Sequence, residues 1–312
     1  MSKILTVTLN PAMDKTLVLP QFHEGEVNRV QKVMTTPAGK GINVARALTK
    51  WGEDVQASGW MGNSWQGDAF LSQLSEWKIP QQFLKVSGDV RTNTKLINSG
   101  SDVVTDINEP GFTVQVDDVN RLLVQWDKWL EECDQVVLSG SLPMGAPSDL
   151  YRRMIKLAKN RGKIVVLDAD GLAFQEGIKA LPYLIKPNRE ELQAFLHREL
   201  HTDLDYIEAG RELLTRGIEA VVISMGAEGA WFFQGKEIFH VSPPPVQAMN
   251  PVGAGDGMVA GIIKGIFRGW SFEKTACFAT AAGAQAATIA GTGYGEEDVI
   301  QALIAGVQVR KI

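Results

Sequence analysis

Short apolar runs alternate with longer amphipathic segments from about residue 117 onward. The apolar runs lie within "QVVLSGSLP" at 135–143, "KIVVLDADG" at 163–171, "YLIKPN" at 183–188 and "AVVISMGAEG" at 220–229. Consecutive apolar residues of this kind are typical of strands buried on both faces, and the segments between them have helical periodicity. The alternation therefore predicts an α/β fold with a mostly parallel central sheet covered by helices.

Each predicted strand ends in a polar or glycine-rich loop. These loops are residues 139–141, 168–171, 186–188 and 224–226. Because parallel strands end at one common edge, the loops should lie close together, and ligands of open α/β sheets bind at that edge.

The first hundred residues have a different pattern. Residues 14–36 are polar and lack helical periodicity, and a second stretch within 88–112 alternates like a β-hairpin with Gly100 near its turn. We interpret both as insertions into a single domain spanning 1–312. Together they are expected to form a small β-sheet lid over the sheet edge, because lids serve reactions that must exclude water.

Composition and charge favour a small-molecule partner. The 312 residues carry a formal net charge of -5, which gives no electrostatic basis for binding nucleic acid or an anionic membrane. The two cysteines, Cys133 and Cys277, lie far apart in the chain, so neither a disulfide nor a structural zinc site is expected. This pattern favours a location in the reducing cytoplasm.

The stretch "NPVGAGDGMVAGIIKGIF" at 250–267 places Asp256 after Gly253, Ala254 and Gly255, just before an apolar helix. Small residues at the start of a helix let an anion such as phosphate approach the free backbone N–H groups. A carboxylate beside an anion is unfavourable unless it takes a proton from a hydroxyl that attacks the anion. The alternative is a plain capping turn with Asp256 as N-cap, and these residues alone leave both interpretations open.

A second constellation, "PAGKGINVARAL" at 37–48, contains Gly39, Lys40, Gly41 and Asn43 at the start of a predicted helix. Such a site suits a polyol, although a glycine-rich helix entry would have the same pattern. Other glycine motifs are missing from the sequence: no G-x-x-x-x-G-K-[ST] occurs, and no G-x-G-x-x-G opens a helix after the first strand.

Together with "SGSLP", "KPNREEL" and "SMGAEGA", these motifs resemble the ribokinase-like carbohydrate kinases, the PfkB family, in order and spacing. The resemblance spans Asp14 to Gly261 and is greatest to the hexose-phosphate kinases of that family. It implies a three-layer αβα ribokinase-like fold and an enzyme that uses ATP and Mg²⁺ to phosphorylate a ketohexose phosphate. Fructose 1-phosphate is the expected acceptor, with tagatose 6-phosphate and fructose 6-phosphate as alternatives. A sugar-phosphate and nucleotide-binding sensor without turnover is the alternative from another class.

The resemblance also implies roles for individual residues. Asp256 would be the catalytic base, and the N–H groups of Gly253, Ala254 and Gly255 would form the anion hole. The sugar site would comprise Asp14, Gly39, Lys40, Gly41, Asn43 and Ser139. The expected nucleotide contacts are Lys186, Asn188, Ser224, Met225, Gly226, Ala227, Glu228, Gly229 and Gly255. Glu191 would hold Mg²⁺, through water.

Three cations of the expected lid, Arg29, Arg91 and Lys95, are candidates for binding the phosphate that the substrate already carries. The lid is also expected to form a homodimer with its copy in a second chain. The segment "DADGLAF" at 168–174 departs from the usual D-S-S-G-x-A-L of the family, so its part in substrate contact stays open.

Overall fold

The computed structural model describes residues 3–99, 104–249, 252–289 and 293–312. It contains fourteen strands among these residues. They are β1 Ile4–Thr8, β2 Ala12–Leu19, β3 Lys32–Ala38, β4 Val55–Gly62, β5 Gln81–Val86, β6 Arg91–Asn98, β7 Val104–Asn108, β8 Gln135–Ser139, β9 Ile164–Asp168, β10 Leu184–Ile185, β11 Ala220–Ser224, β12 Ala230–Gln234, β13 Glu237–Ser242 and β14 Gln308–Lys311.

Ten helices accompany these strands in the described part of the chain. They are α1 Lys40–Lys50, α2 Trp65–Glu76, α3 Val116–Trp129, α4 Leu150–Asn160, α5 Gly171–Gly177, α6 Arg189–Leu196, α7 Asp203–Thr215, α8 Ala254–Phe267, α9 Phe272–Ala287 and α10 Glu297–Ile304. None of these described helices is both long enough and apolar enough to span a membrane.

The large sheet has ten strands in the order β14-β13-β12-β11-β10-β9-β8-β1-β4-β5. Every neighbouring pair in the run β11-β10-β9-β8-β1-β4-β5 is parallel. Strands β12, β13 and β14 extend the sheet beyond β11 in antiparallel pairs. The mostly parallel sheet that the apolar runs predict is therefore present.

Two hydrophobic clusters cover the two faces of this sheet. Val136 and Leu138 of β8 pack with α3 to α7, whereas Val137 between them packs with α1, α2, α8, α9 and α10. Because each strand is buried on both faces, its sequence is an unbroken apolar run. The result is three layers, helices on either side of one sheet.

The smaller sheet has four strands in the order β3-β2-β6-β7. Strand β2 is parallel to β6 and antiparallel to β3, and β7 is antiparallel to β6. Strands β2 and β3 of this sheet lie between β1 and α1 in the chain, and β6 and β7 follow β5. The smaller sheet is therefore anchored at the carboxyl edge of the large one. The expected small sheet is confirmed, while its predicted turn residue Gly100 lies outside the described residues.

Candidate active site

Helix α8 begins with the glycine-rich turn that the sequence singles out. Ala254 is the first helical residue, and Gly253 is the N-cap, with φ 87°, a left-handed conformation that favours glycine. The helix thus begins two residues before Asp256, and the Asp256 side chain bonds Asn43 rather than a backbone N–H of its own helix. The first-turn N–H groups have no acceptor within the helix, so they can bind an anion.

Asp256 is buried, with 7% of its surface exposed. Its Oδ2 accepts a hydrogen bond of 2.8 Å from Asn43 Nδ2, and no described cation lies within 4.0 Å of it. Burial and the nearby charge of Asp168 raise its pKa to about 6, although Asn43, Lys40 and Lys186 act in the opposite direction. A carboxylate with this pKa is largely ionised at neutral pH and is basic enough to accept a proton in catalysis.

Asp168 lies at the centre of the site, and the sequence left open whether its segment, 168–174, contacts the substrate. It is 1% exposed, and its Oδ1 lies 3.3 Å from Lys40 Nζ and 3.4 Å from Lys186 Nζ. Burial would raise its pKa, but the charges of Lys186 and Lys40 outweigh burial and lower it. Its position at the end of an apolar run was the signal available in the sequence, and the structure adds that it lies next to Ser139 of β8.

Several buried polar atoms around Asp168 have no hydrogen-bond partner among the described residues. Thr8, Ser139 and Asp168 are register partners at the carboxyl ends of three neighbouring strands. A buried polar atom without a partner costs free energy, so such a cluster indicates a site for a polar ligand. These atoms are Thr8 Oγ1, Asn10 Oδ1, Asn43 Oδ1, Ser139 Oγ and Asp168 Oδ2.

The two glycines of the second constellation bring helix α1 against strand β1. Gly39 has φ 134°, and a Cβ built on Gly41 would lie 2.7 Å from the Val7 carbonyl oxygen. This close packing holds Lys40 beside Asp168 and Asn43 beside Asp256. Both motifs that the sequence singled out therefore meet in one site.

The smaller sheet contributes a second polar group. Asn93 Nδ2 donates a bond of 3.1 Å to Asp14 Oδ1, and burial raises the pKa of Asp14. Arg91 is partly buried, donates from Nε to the Asn10 carbonyl oxygen at 3.3 Å, and has no described carboxylate within 4.0 Å. Arg91 is therefore a cation available to an anionic ligand.

The other two lid cations are placed less favourably. Lys95 forms an ion pair of 2.6 Å with Asp106 on the neighbouring strand. Arg29 lies on the exposed connection between β2 and β3, and the structure shows no contact between it and the remaining candidates. Of the three cations, Arg91 alone is placed beside Asp14 without a carboxylate partner in the described chain.

A cavity of about 710 Å³ opens on the other side of the α8 turn. Prolines of 243–245 and small residues of α9 form its remaining walls. Lys186 is not part of its lining and lies instead behind Gly255, where a Cβ would be 3.6 Å from its Nζ. The predicted nucleotide residues that do line the cavity are Asn188, Ser224, Met225, Gly226, Ala227, Glu228, Gly229 and Gly255.

Glu191 has a local structural partner. Its Oε2 accepts from Asn188 N at 2.9 Å, and Asn188 Oδ1 accepts from Glu191 N at 2.7 Å, which is a capping box for α6. No group of three His, Cys, Asp or Glu side chains in the described residues is arranged to hold a metal ion. Mg²⁺ at kinase sites binds mainly phosphates and water with one or two carboxylates. The unpartnered Asp168 Oδ2 and the Glu191 carboxylate fit that donor set.

Comparison with known proteins places this site in a family. The model of the pfkB family carbohydrate kinases matches residues 7–299. The chain is 37% identical to 1-phosphofructokinase of Escherichia coli (strain K12), covering 99% of this chain and 98% of that protein. It is 33% identical to tagatose-6-phosphate kinase of Staphylococcus epidermidis, covering 99% and 100% of the two chains.

A solved structure has the same fold. The structure of phosphofructokinase-2 from Escherichia coli in complex with potassium superposes with a TM-score of 0.91 at 29% identity, over 98% of this chain and 99% of that one. The expected ribokinase-like fold, a mostly parallel sheet with helices and a smaller second sheet, is thereby confirmed. With a family match across nearly its whole length, this chain belongs to the pfkB family of carbohydrate kinases.

Proposed function

We propose that this protein transfers the γ-phosphoryl group of ATP to a ketohexose phosphate, with fructose 1-phosphate as the acceptor and fructose 1,6-bisphosphate as the product. The observation that carries the proposal is the placement of Asp256. This buried carboxylate lies on the first turn of α8, between the 710 Å³ cavity and the cluster of unpartnered polar atoms. A base placed between two binding sites can act on a reaction between their ligands.

In this mechanism, ATP lies in the cavity with its phosphates toward the N-terminus of α8. As the C6 hydroxyl oxygen attacks the γ-phosphorus, the bond from that phosphorus to the ADP oxygen breaks. The hydroxyl proton passes to the carboxylate of Asp256, which Asn43 holds in place. The N–H groups of Gly253, Ala254 and Gly255 stabilise the charge on the transferring group.

Two lysines, Lys40 and Lys186, would supply positive charge near the site of phosphoryl transfer. Lys186 lies next to Gly255, and both Lys186 and Lys40 contact Asp168, which keeps them oriented inside the site. Asp168 and Glu191 would hold Mg²⁺, in part through water. When bound, Mg²⁺ supplies further neutralisation of phosphate charge.

The sugar phosphate would lie between the smaller sheet and the sheet edge. Asp14, Asn43 and Ser139 would bond its hydroxyl groups, and Arg91 would bind its existing phosphate, which the unpartnered Asn43 and Ser139 atoms and the absence of a described carboxylate beside Arg91 support. Asn93 was absent from the sequence-based candidates, and its bond to Asp14 gives it a supporting part.

The test of the acceptor is a ranking of kcat/KM from ADP release. Fructose 1-phosphate, fructose 6-phosphate, tagatose 6-phosphate, fructose and ribose are compared under one set of conditions. We expect fructose 1-phosphate to rank first and the two unphosphorylated sugars last, since they cannot engage Arg91. A higher kcat/KM for tagatose 6-phosphate would transfer the proposal to that acceptor, and binding of ATP and sugar without ADP release would indicate a sensor.

We further propose that the smaller sheet is the lid of a single domain and pairs with its copy in a homodimer. Its outer strands expose Val33, Val104 and Ile107 to solvent, and edge strands with apolar side chains favour association. Light scattering coupled to size-exclusion chromatography would give twice the chain mass. A monomer at micromolar concentration would contradict this part of the proposal.

A further inference from the structure

A short segment that leads into α10, residues 294–297, contacts three helices of the active-site region, α1, α8 and α9. Four contacts within the described residues hold it in place. They are Trp51 Nε1 to the Gly295 carbonyl oxygen (3.1 Å), Gly295 N to Gln285 Oε1 (2.6 Å), Lys50 Nζ to Glu296 Oε1 (3.1 Å) and Lys264 Nζ to Glu297 Oε2 (3.0 Å). We call this segment the brace.

The brace places one aromatic side chain against the start of α8. Tyr294 is 3% exposed, and its ring lies against Gly257, where a Cβ would come within 3.3 Å of Tyr294 Cε1. The hydroxyl of Tyr294 lies 3.4 Å from the carbonyl oxygen of Gly253, to which it donates. Gly257 N donates to the same carbonyl oxygen at 2.9 Å.

The geometry of the peptide bond connects this contact to the proposed anion hole, the N–H groups of Gly253, Ala254 and Gly255. The carbonyl of Gly253 and the N–H of Ala254 belong to one planar peptide group, so they cannot rotate independently. A hydrogen bond that fixes the direction of the carbonyl therefore also fixes the direction of the N–H. Glycine at 253 has no Cβ to restrict that rotation, so an external contact has more to contribute there.

We propose that Tyr294 is a positioning residue whose hydroxyl, by holding the Gly253 carbonyl, aims the Ala254 N–H at the transferring phosphoryl group. This inference rests on the proposed kinase function. An N–H group of the anion hole stabilises the transferring phosphoryl group best when it points directly at it. The Tyr294 contact should therefore affect the transfer step more than substrate binding.

Tyr294→Phe tests the inference, since it retains the buried ring and removes only the hydroxyl. Tyr206→Phe is the matched control. Tyr206 is 4% exposed, and its hydroxyl donates to the Leu200 carbonyl oxygen at 3.2 Å and also contacts Arg189, so Tyr206→Phe loses at least as much hydrogen bonding as Tyr294→Phe. Both variants are compared with the wild-type chain in kcat, in KM for each substrate and in Tm.

A second measurement reports on the anion hole separately from substrate turnover. The affinity for aluminium fluoride is measured in the presence of MgADP and fructose 1-phosphate, because this anion imitates the transferring group. The loss of one neutral hydrogen bond predicts a fall of about fivefold in kcat for Tyr294→Phe and a similar fall in fluoroaluminate affinity. KM values and MgADP affinity should stay within about twofold of wild type.

The outcomes separate the two proposals. If Tyr294→Phe lowers kcat and fluoroaluminate affinity, whereas Tyr206→Phe leaves both unchanged despite a similar fall in Tm, the positioning role is supported. Equal kcat in the two variants, or a change in KM without a change in kcat, would overturn it while leaving the kinase proposal intact. A wild-type chain that releases no ADP with any of the acceptors would overturn the proposed function, and the inference with it.

Discussion

The two ends of helix α8 both bury charged side chains, and they arrange those charges in opposite ways. At the carboxyl end, Lys264 contacts Glu53 and lies 3.0 Å from Glu297, while Arg268 lies 3.1 Å from Glu53. At the amino end, Asp256 has the amide of Asn43 as its hydrogen-bond donor and no described cation within 4.0 Å.

We propose that this difference separates an end of the helix that stabilises the fold from an end that takes part in catalysis. A buried charge is tolerated when an opposite charge lies beside it, and an uncompensated one costs several kcal/mol. The raised pKa of Asp256 is the result of that cost. The same helix thus has buried charges that neutralise one another at its carboxyl end. At its amino end it has a carboxylate without an opposite charge within 4.0 Å in the described chain, to which bound substrates would add further partners.

The largest expected effect follows from removing the carboxylate at the amino end. Asp256→Asn should lower kcat by about a thousandfold, because the amide cannot accept the proton of the attacking hydroxyl. Binding of ATP, measured by calorimetry, should change little. Glu273→Gln is the control, since Glu273 is also a first-turn carboxylate, at the exposed start of α9. A kcat within tenfold of wild type would reject Asp256 as the base.

Breaking the ion cluster at the carboxyl end should give the reverse result. Lys264→Met is expected to lower the free energy of unfolding by about 3 kcal/mol, because it leaves Glu53 and Glu297 less compensated. Its kcat, measured on folded protein, should fall far less than that of Asp256→Asn. Adding Glu53→Gln should recover part of the stability. Urea titration measures both, and a loss below about 0.5 kcal/mol would show that the cluster contributes little.

Arg91 extends the comparison of paired and unpaired charges to a cation, since it is partly buried and has no carboxylate partner in the described chain. Arg91→Ala should raise KM for the sugar phosphate about 10- to 100-fold, as expected for the loss of a charge-assisted contact. KM for ATP should stay the same. Arg310→Ala, which removes an exposed arginine paired with Asp203, serves as the control. An unchanged KM in Arg91→Ala would place phosphate recognition elsewhere.

The pH dependence of stability gives a smaller effect that needs no substrate. The folded-state pKa of Asp256 is about 6, above its ordinary value of 3.8, so the fold loses stability as pH rises from about 4 to 6, and the full penalty is present above pH 6. Asp256→Asn should therefore be more stable than wild type by up to about 3 kcal/mol at pH 8, and the difference should fall as pH is lowered from about 6 to 4. A difference that is independent of pH would mean that Asp256 ionises normally.

Patterns that are local in the sequence predicted much of this molecule. The apolar runs identified buried parallel strands, and the glycine-rich turns at 39–41 and 253–255 identified two motifs that meet at one sheet edge. The alternative with Asp256 as N-cap would place the start of α8 three residues too late, since the N-cap is Gly253, whose positive φ is not visible in the sequence.

Contacts between distant positions could not be predicted in this way. Lys40 and Asp168 are 128 positions apart, and Glu53 and Lys264 are 211 apart. Their pairing depends on which strands become neighbours and on how the helices pack, which single-sequence periodicity does not specify. Tyr294 was overlooked for the same reason, since its partner Gly253 is 41 positions away.

The most direct test is a crystal structure with MgADP, aluminium fluoride and fructose 1-phosphate bound. We predict that the fluoroaluminate lies against the N–H groups of Gly253, Ala254 and Gly255, with the C6 oxygen of the sugar about 3 Å from the Asp256 carboxylate. A complex in which the fluoroaluminate binds away from α8, or in which Asp256 does not approach the acceptor oxygen, would contradict the account.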